Sequence, residues 1–148
     1  MTSSLASLTS EQLRHAGVAV TQEADGSLRI AGPNAAIGDA VVSFDDGEIS
    51  VFLGDITHCH FTPVEAQGNF PARTPEQAAG EAAQYLREVL ADEWVIWRWS
   101  DGRGGCYKPD GDDWESADAP LPGEEVERFL WSGAAVPPNK SLERTRGR

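Results

Sequence analysis

The chain has 148 residues, with 12 Lys+Arg against 24 Asp+Glu, a formal net charge of -12. Apolar residues make up 40% and charged residues 24%, the composition of an ordinary folded protein. These figures exclude a rod, a collagen-like repeat and a disulfide framework, since there are only two cysteines, Cys59 and Cys106. They also speak against a general binder of nucleic acid or anionic membrane, because a field of this sign repels phosphate.

No apolar run is long enough to span a bilayer. The N-terminus lacks the basic and apolar regions of a signal peptide, so a cytoplasmic location with reduced thiols is expected. Charge is uneven along the chain. Residues 139–148 carry Lys140, Arg144, Arg146 and Arg148 against Glu143, a net of +3, so the rest carries -15.

In chain order, residues 1–8 read as a flexible Ser/Thr-rich start. Thr9 with Gln12 forms a capping box, and Gly17 a stop, for a short helix over 10–16. Two hairpins follow. Ala24-Asp25-Gly26 turns the first (strands 18–23 and 27–31), in a register that pairs Gln22 with Leu28. Asp46-Gly47 turns the second, pairing Ser43 with Ser50 and Val42 with Val51. That register gathers Ala40, Val42, Phe44, Ile49, Val51 and Leu53 on one face, with Ser43, Asp45, Glu48, Ser50, Val41 and Phe52 on the other. The strands span 39–45 and 48–61, with a bulge at Gly54-Asp55 as a variant.

Thr74-Pro75-Glu76-Gln77 opens a long helix, 75–91, with Pro75 at its first position and Gln77 closing a capping box. Strands follow at 94–99 and 106–108, joining the same sheet and turned by the glycines at 102, 104 and 105. Val126, Phe129 and Leu130 mark a last short helix ended by Gly133, and 134–148 reads as a disordered basic tail. The expected fold is α+β: one domain over 9–133, an antiparallel sheet of successive hairpins, one long helix packed on it and short terminal helices. A partly closed barrel is the structural alternative.

Thr57-His58-Cys59-His60-Phe61 is the one cluster suggestive of chemistry. On a strand, His58 and His60 point one way and Cys59 the other. The two imidazoles are candidate metal ligands, but zinc needs three or four. Cys59 is poorly placed to lose its proton to either neighbour. No catalytic residue and no cofactor are expected. The Gly102–Gly105 run lacks the ending of a phosphate loop. The acids from Asp110 to Asp118 miss the EF-hand template. Five tryptophans exceed what a small core requires. Trp97, Trp99 and Arg98, together with Asp110, Asp112, Asp113 and Trp114, are the candidate protein-binding residues, read as aromatics ringed by acids with Arg98 stacked among the rings.

The segment Asp46–Phe61 with its Thr-His-x-His-Phe string, then an Ala/Leu helix ending in Asp92-Glu93, then Trp94-Val95-Ile96-Trp97-Arg98, resembles small bacterial α+β proteins, some grouped with immunity proteins of polymorphic toxin systems. The resemblance covers residues 39–108. It implies a sheet with one helix against it, and a role in binding and neutralising a toxin. The leading expectation is therefore a non-catalytic acidic domain that binds another, basic protein. The alternatives are a metal-dependent or thiol enzyme centred on His58, Cys59 and His60, and a structural homo-oligomer joined through the Trp94–Trp99 strand.

Overall fold

Ser4 sets where the chain first becomes helical. Its hydroxyl accepts from the Ser7 N–H at 3.1 Å, and helix α1 runs Leu5–His15, a turn earlier than the Thr9 capping box implies. Thr9 is instead fully buried inside the helix, and its hydroxyl donates to the Leu5 carbonyl at 2.7 Å. Two residues offer the same capping chemistry, and the one preceding Leu5-Ala6 captures an extra turn of good helix formers. The end matches expectation. Gly17 has φ +79°, its N–H donates to Arg14 and that of Val18 to Leu13, a Schellman stop with Leu13 and Val18 buried beside it. The computed structural model describes residues 4–109, 119–120 and 123–136.

The chain then makes a meander of five strands: β1 Thr21–Gln22, β2 Leu28–Ile30, β3 Ala40–Ser43, β4 Ile49–Leu53 and β5 Thr57–Phe61, hydrogen-bonded in that order. Gln22 pairs with Leu28, and Gly26 sits at φ +90° in the three-residue turn. The Ser27 hydroxyl and N–H both donate to Asp25 Oδ1, at 2.6 and 2.9 Å. These two bonds, the hydroxyl's first, hold the Asp25 carboxyl below the usual carboxylate range. A carboxyl depressed in the folded state adds stability above its unfolded value and loses it as acid protonates it. Asp25→Ala is therefore expected to flatten the fall in urea midpoint below about pH 4, while wild type keeps the steeper slope.

At the second hairpin, Asp46 and Gly47 both take positive φ, 55° and 73°, as a type I′ turn requires. Ser43 pairs with Ser50, Val42 with Val51, Val41 with Phe52 and Ala40 with Leu53. Ala40, Val42, Ile49, Val51 and Leu53 are fully buried, as expected; Phe44, expected with them, is half-buried beyond the end of β3, and Ser50, expected on the polar face, is buried. The stretch 48–61 is two strands, however. Gly54-Asp55-Ile56 turns between β4 and β5, bringing the histidine string back alongside the strand that precedes it.

Helix α2, Pro75–Leu90, has the capping box in full. The Gln77 N–H donates to Thr74 Oγ1 at 3.1 Å, and the Thr74 N–H to Gln77 Oε1 at 2.8 Å. Thr74→Ala should cost about 1 kcal/mol, read as a lower denaturant midpoint at unchanged slope. Ala78, Ala79, Ala82, Ala83 and Leu86 form its buried stripe. Small side chains let a helix approach its neighbours closely, and Tyr85 meets Phe61 of β5 with ring centroids 5.6 Å apart.

The chain's contacts divide into two compact units interleaved in sequence. Among the described residues, one holds those up to Ala31, Asp39–Leu53 and His58–Arg87; the other holds Gly32–Gly38, Gly54–Thr57 and those from Glu88 onward. The second unit contains its own sheet, with β6 (Val95–Arg98) between β7 (Gly104–Tyr107) and β8 (Glu127–Phe129). Val95, Tyr107 and Leu130 are its buried cluster, with Trp97, Ala119 and Val136 packed against them.

Three expectations are corrected here. The strands after the long helix form this separate sheet instead of extending the first. Residues 127–129 are a strand, not a helix, with Phe129 opposite Ile96 and Glu127 opposite Arg98. Three apolar residues at 126, 129 and 130 fit either period, and the open edge of β6 decides between them. Gly104 and Gly105 belong to β7, not to the turn. The Trp97 indole lies over Gly105, within 2.9 Å of where a Cβ would stand.

Candidate functional site

Because Gly54–Ile56 folds β5 back on β4, the outer faces of the two strands become one surface. Ser50 and Phe52 come from β4, and His58 and His60 from β5. The Phe52 and His58 rings lie 5.5 Å apart and tilted by 31°, and the His58 and His60 rings meet edge-on at 4.9 Å. Along β5, His58 and His60 are exposed and Cys59 is half-buried between them, as strand alternation requires.

His60 Nδ1 lies 2.9 Å from Ser50 Oγ and 3.0 Å from Glu48 Oε1. The Thr62 hydroxyl donates to the same Glu48 oxygen at 3.2 Å. Serine, histidine and glutamate are the residue types of a hydrolytic triad, but here hydroxyl and carboxylate share one ring nitrogen. A triad needs them on opposite nitrogens, so that the imidazole can take the hydroxyl proton while the acid orients it. This arrangement fixes the ring and differs from a triad in its geometry. Nor do the expected metal candidates His58 and His60 gather a third ligand. Among the described residues, no group of three His, Cys, Asp or Glu is placed to hold a metal.

Beyond β5 the chain forms a small hairpin. Val64 pairs with Arg73 and Gln67 with Phe70, and Arg73 is tied to Glu81 of α2 at 3.1 Å. Phe70 is 77% exposed, Val64 52% and Phe52 36%. These are the exposed large apolar side chains of the described residues, and all three fall between positions 52 and 70.

The tryptophan strand is differently placed. Trp97, Arg98 and Trp99 are all half-buried. Both edges of β6 are taken, by β7 and β8, so β6 itself offers no edge for pairing with a second copy. Arg98 lies over Phe129, 5.5 Å from its centroid, and reaches Glu127 at 3.5 Å; it does not sit between the tryptophans. The ring of Trp99 is covered by Arg103, 3.9 Å from its centroid, which is itself held by Asp101. The expected partners Asp110, Asp112, Asp113 and Trp114 lie outside the described residues.

Strand alternation puts Phe52 on the polar face without assigning it a role, and it does not reach Phe70. For Phe52 the signal was present: a large aromatic in register with serines and acids. Phe70, between Gly68 and Pro71, has no periodicity to mark it.

Comparison with known proteins finds no matching family model, no matching curated relative and no matching solved structure. Among the described residues no helix is long and apolar enough to cross a membrane.

Proposed function

We propose that this chain is a non-catalytic, acidic protein-binding domain whose partner is a basic protein, and that its specific form is an immunity-type factor that binds a basic toxin in the cytoplasm of a bacterial cell. One observation carries the reading. Phe52, Val64 and Phe70 are exposed within a single stretch of chain, and Asp45, Asp46, Glu48 and Glu65 stand beside them in sequence. Exposed apolar side chains that gather into one patch rimmed by polar residues mark a docking surface, and the clustering of these three in sequence is what supports one here. Desolvated aromatics carry most of the binding energy at such surfaces, while the surrounding charge speeds encounter with a partner of opposite sign. The net charge of -12 favours a basic protein over nucleic acid or an anionic membrane.

The test is affinity capture from the source cell with the full chain, comparing wild type with Phe70→Asp. A basic protein retained by wild type at low salt, released at high salt and absent from the variant supports the reading. An acidic or neutral partner, or one retained equally by both proteins, contradicts it.

A further inference from the structure

We propose that the outer face of β4 and β5 is a receptor for an arginine side chain of that basic partner, its guanidinium lying along the row of Phe52, His58 and His60 with its N–H groups directed toward Glu48 at the His60 end. The proposal rests on the reading that the partner is basic, and names the chemistry by which it is held.

The rings are positioned before any partner arrives. Phe52 and His58 are tilted by 31° to one another, and His60 closes the row edge-on. His60 is itself pinned through Nδ1 by Ser50 and Glu48. Glu48 uses Oε1 for both His60 and Thr62, and its other oxygen has no partner among the described residues. Glu48 stands beside His60, at the end of the aromatic row away from Phe52, and a row of rings that ends in a carboxylate suits a planar cation on a long side chain. Arginine can stack on the ring and direct N–H groups to the acid at once, whereas the lysine ammonium is a compact, strongly hydrated point charge. The nearest cation in register on this face, Arg29, stands two strands away opposite Val41. It is already held by Glu23 at 2.7 Å and Asp39 at 3.3 Å, so it neither occupies the platform nor cancels Glu48. The overall charge supplies attraction for any basic chain; the platform supplies the preference for arginine.

The experiment titrates the full chain with a Gly-Arg repeat peptide and its Gly-Lys counterpart at low ionic strength, following the ring proton resonances of Phe52, His58 and His60. The expected result is movement of those resonances with the arginine peptide and binding about threefold tighter than the lysine peptide. Phe52→Ala should abolish that ratio while keeping the weak salt-sensitive binding common to both; His58→Ala should reduce it without unfolding the chain. Equal binding of the two peptides, or unmoved histidine resonances, overturns the arginine platform and leaves a basic partner standing. If neither peptide binds at low ionic strength, the basic-partner reading falls with it.

Discussion

Gly54→Ala should lower stability by about 2–5 kcal/mol, a large fraction of what holds a domain folded. Two costs add. Gly54 has φ +56°, a left-handed conformation that costs a residue with a Cβ about 1–2 kcal/mol. A Cβ there would stand 1.8 Å from the Ile37 carbonyl oxygen, so backbone has to move, and crowding of this kind costs about 1–3 kcal/mol or more. The position matters because this turn sets β5 beside β4. Urea unfolding followed by far-ultraviolet circular dichroism measures the loss. A midpoint within experimental error of wild type would mean that the close approach of residue 54 to Ile37 is absent in solution.

Neighbouring residues on β4 should give opposite results. Leu53 is fully buried and points to the core of the five-stranded sheet. Leu53→Ala removes apolar contacts and leaves a cavity, at a cost of about 2–5 kcal/mol. Phe52, one position earlier, points outward and is 36% exposed. Phe52→Ala should cost less than about 1 kcal/mol, mostly lost strand preference. The same unfolding experiment on both variants separates a residue retained for packing from one whose exposure costs the fold little. Comparable losses would place Phe52 in the core and remove it from the docking surface.

What the sequence made legible follows from how local each determinant is. The turns at Asp25-Gly26 and Asp46-Gly47 were readable because a positive φ needs a particular residue at a particular place, and the strand register follows from the turn. The Thr74–Gln77 box was readable for the same reason. At the first helix the local rule had two solutions, Ser4 and Thr9, and burial of Thr9 with its hydroxyl bonded to Leu5 decided between them. Residues 127–129 could not be assigned locally at all, since only the open edge of β6, some thirty residues earlier in the chain, makes them a strand. The same holds for Gly104: a Cβ would lie 2.2 Å from the Ile56 carbonyl oxygen, a contact no window of sequence contains.

The candidate surface was half legible for a related reason. Alternation along β5 correctly separated Cys59 from the two histidines. The partners of those histidines depended on a turn at Gly54–Ile56, which the reading treated as a possible bulge in one long strand. Composition drew attention to the tryptophans, yet Trp97 spends its ring covering Gly105 and Trp99 lies beneath Arg103. Residue type marks what can bind; exposure marks what is available to.

The most direct test of the account is side-chain oxidation footprinting of the full chain with and without the captured basic partner. The account predicts protection of Phe52, His58 and Phe70 in the complex, with Trp97 and Trp99 unchanged. Protection confined to the tryptophan strand, with residues 52–70 oxidised as in the free protein, would contradict it.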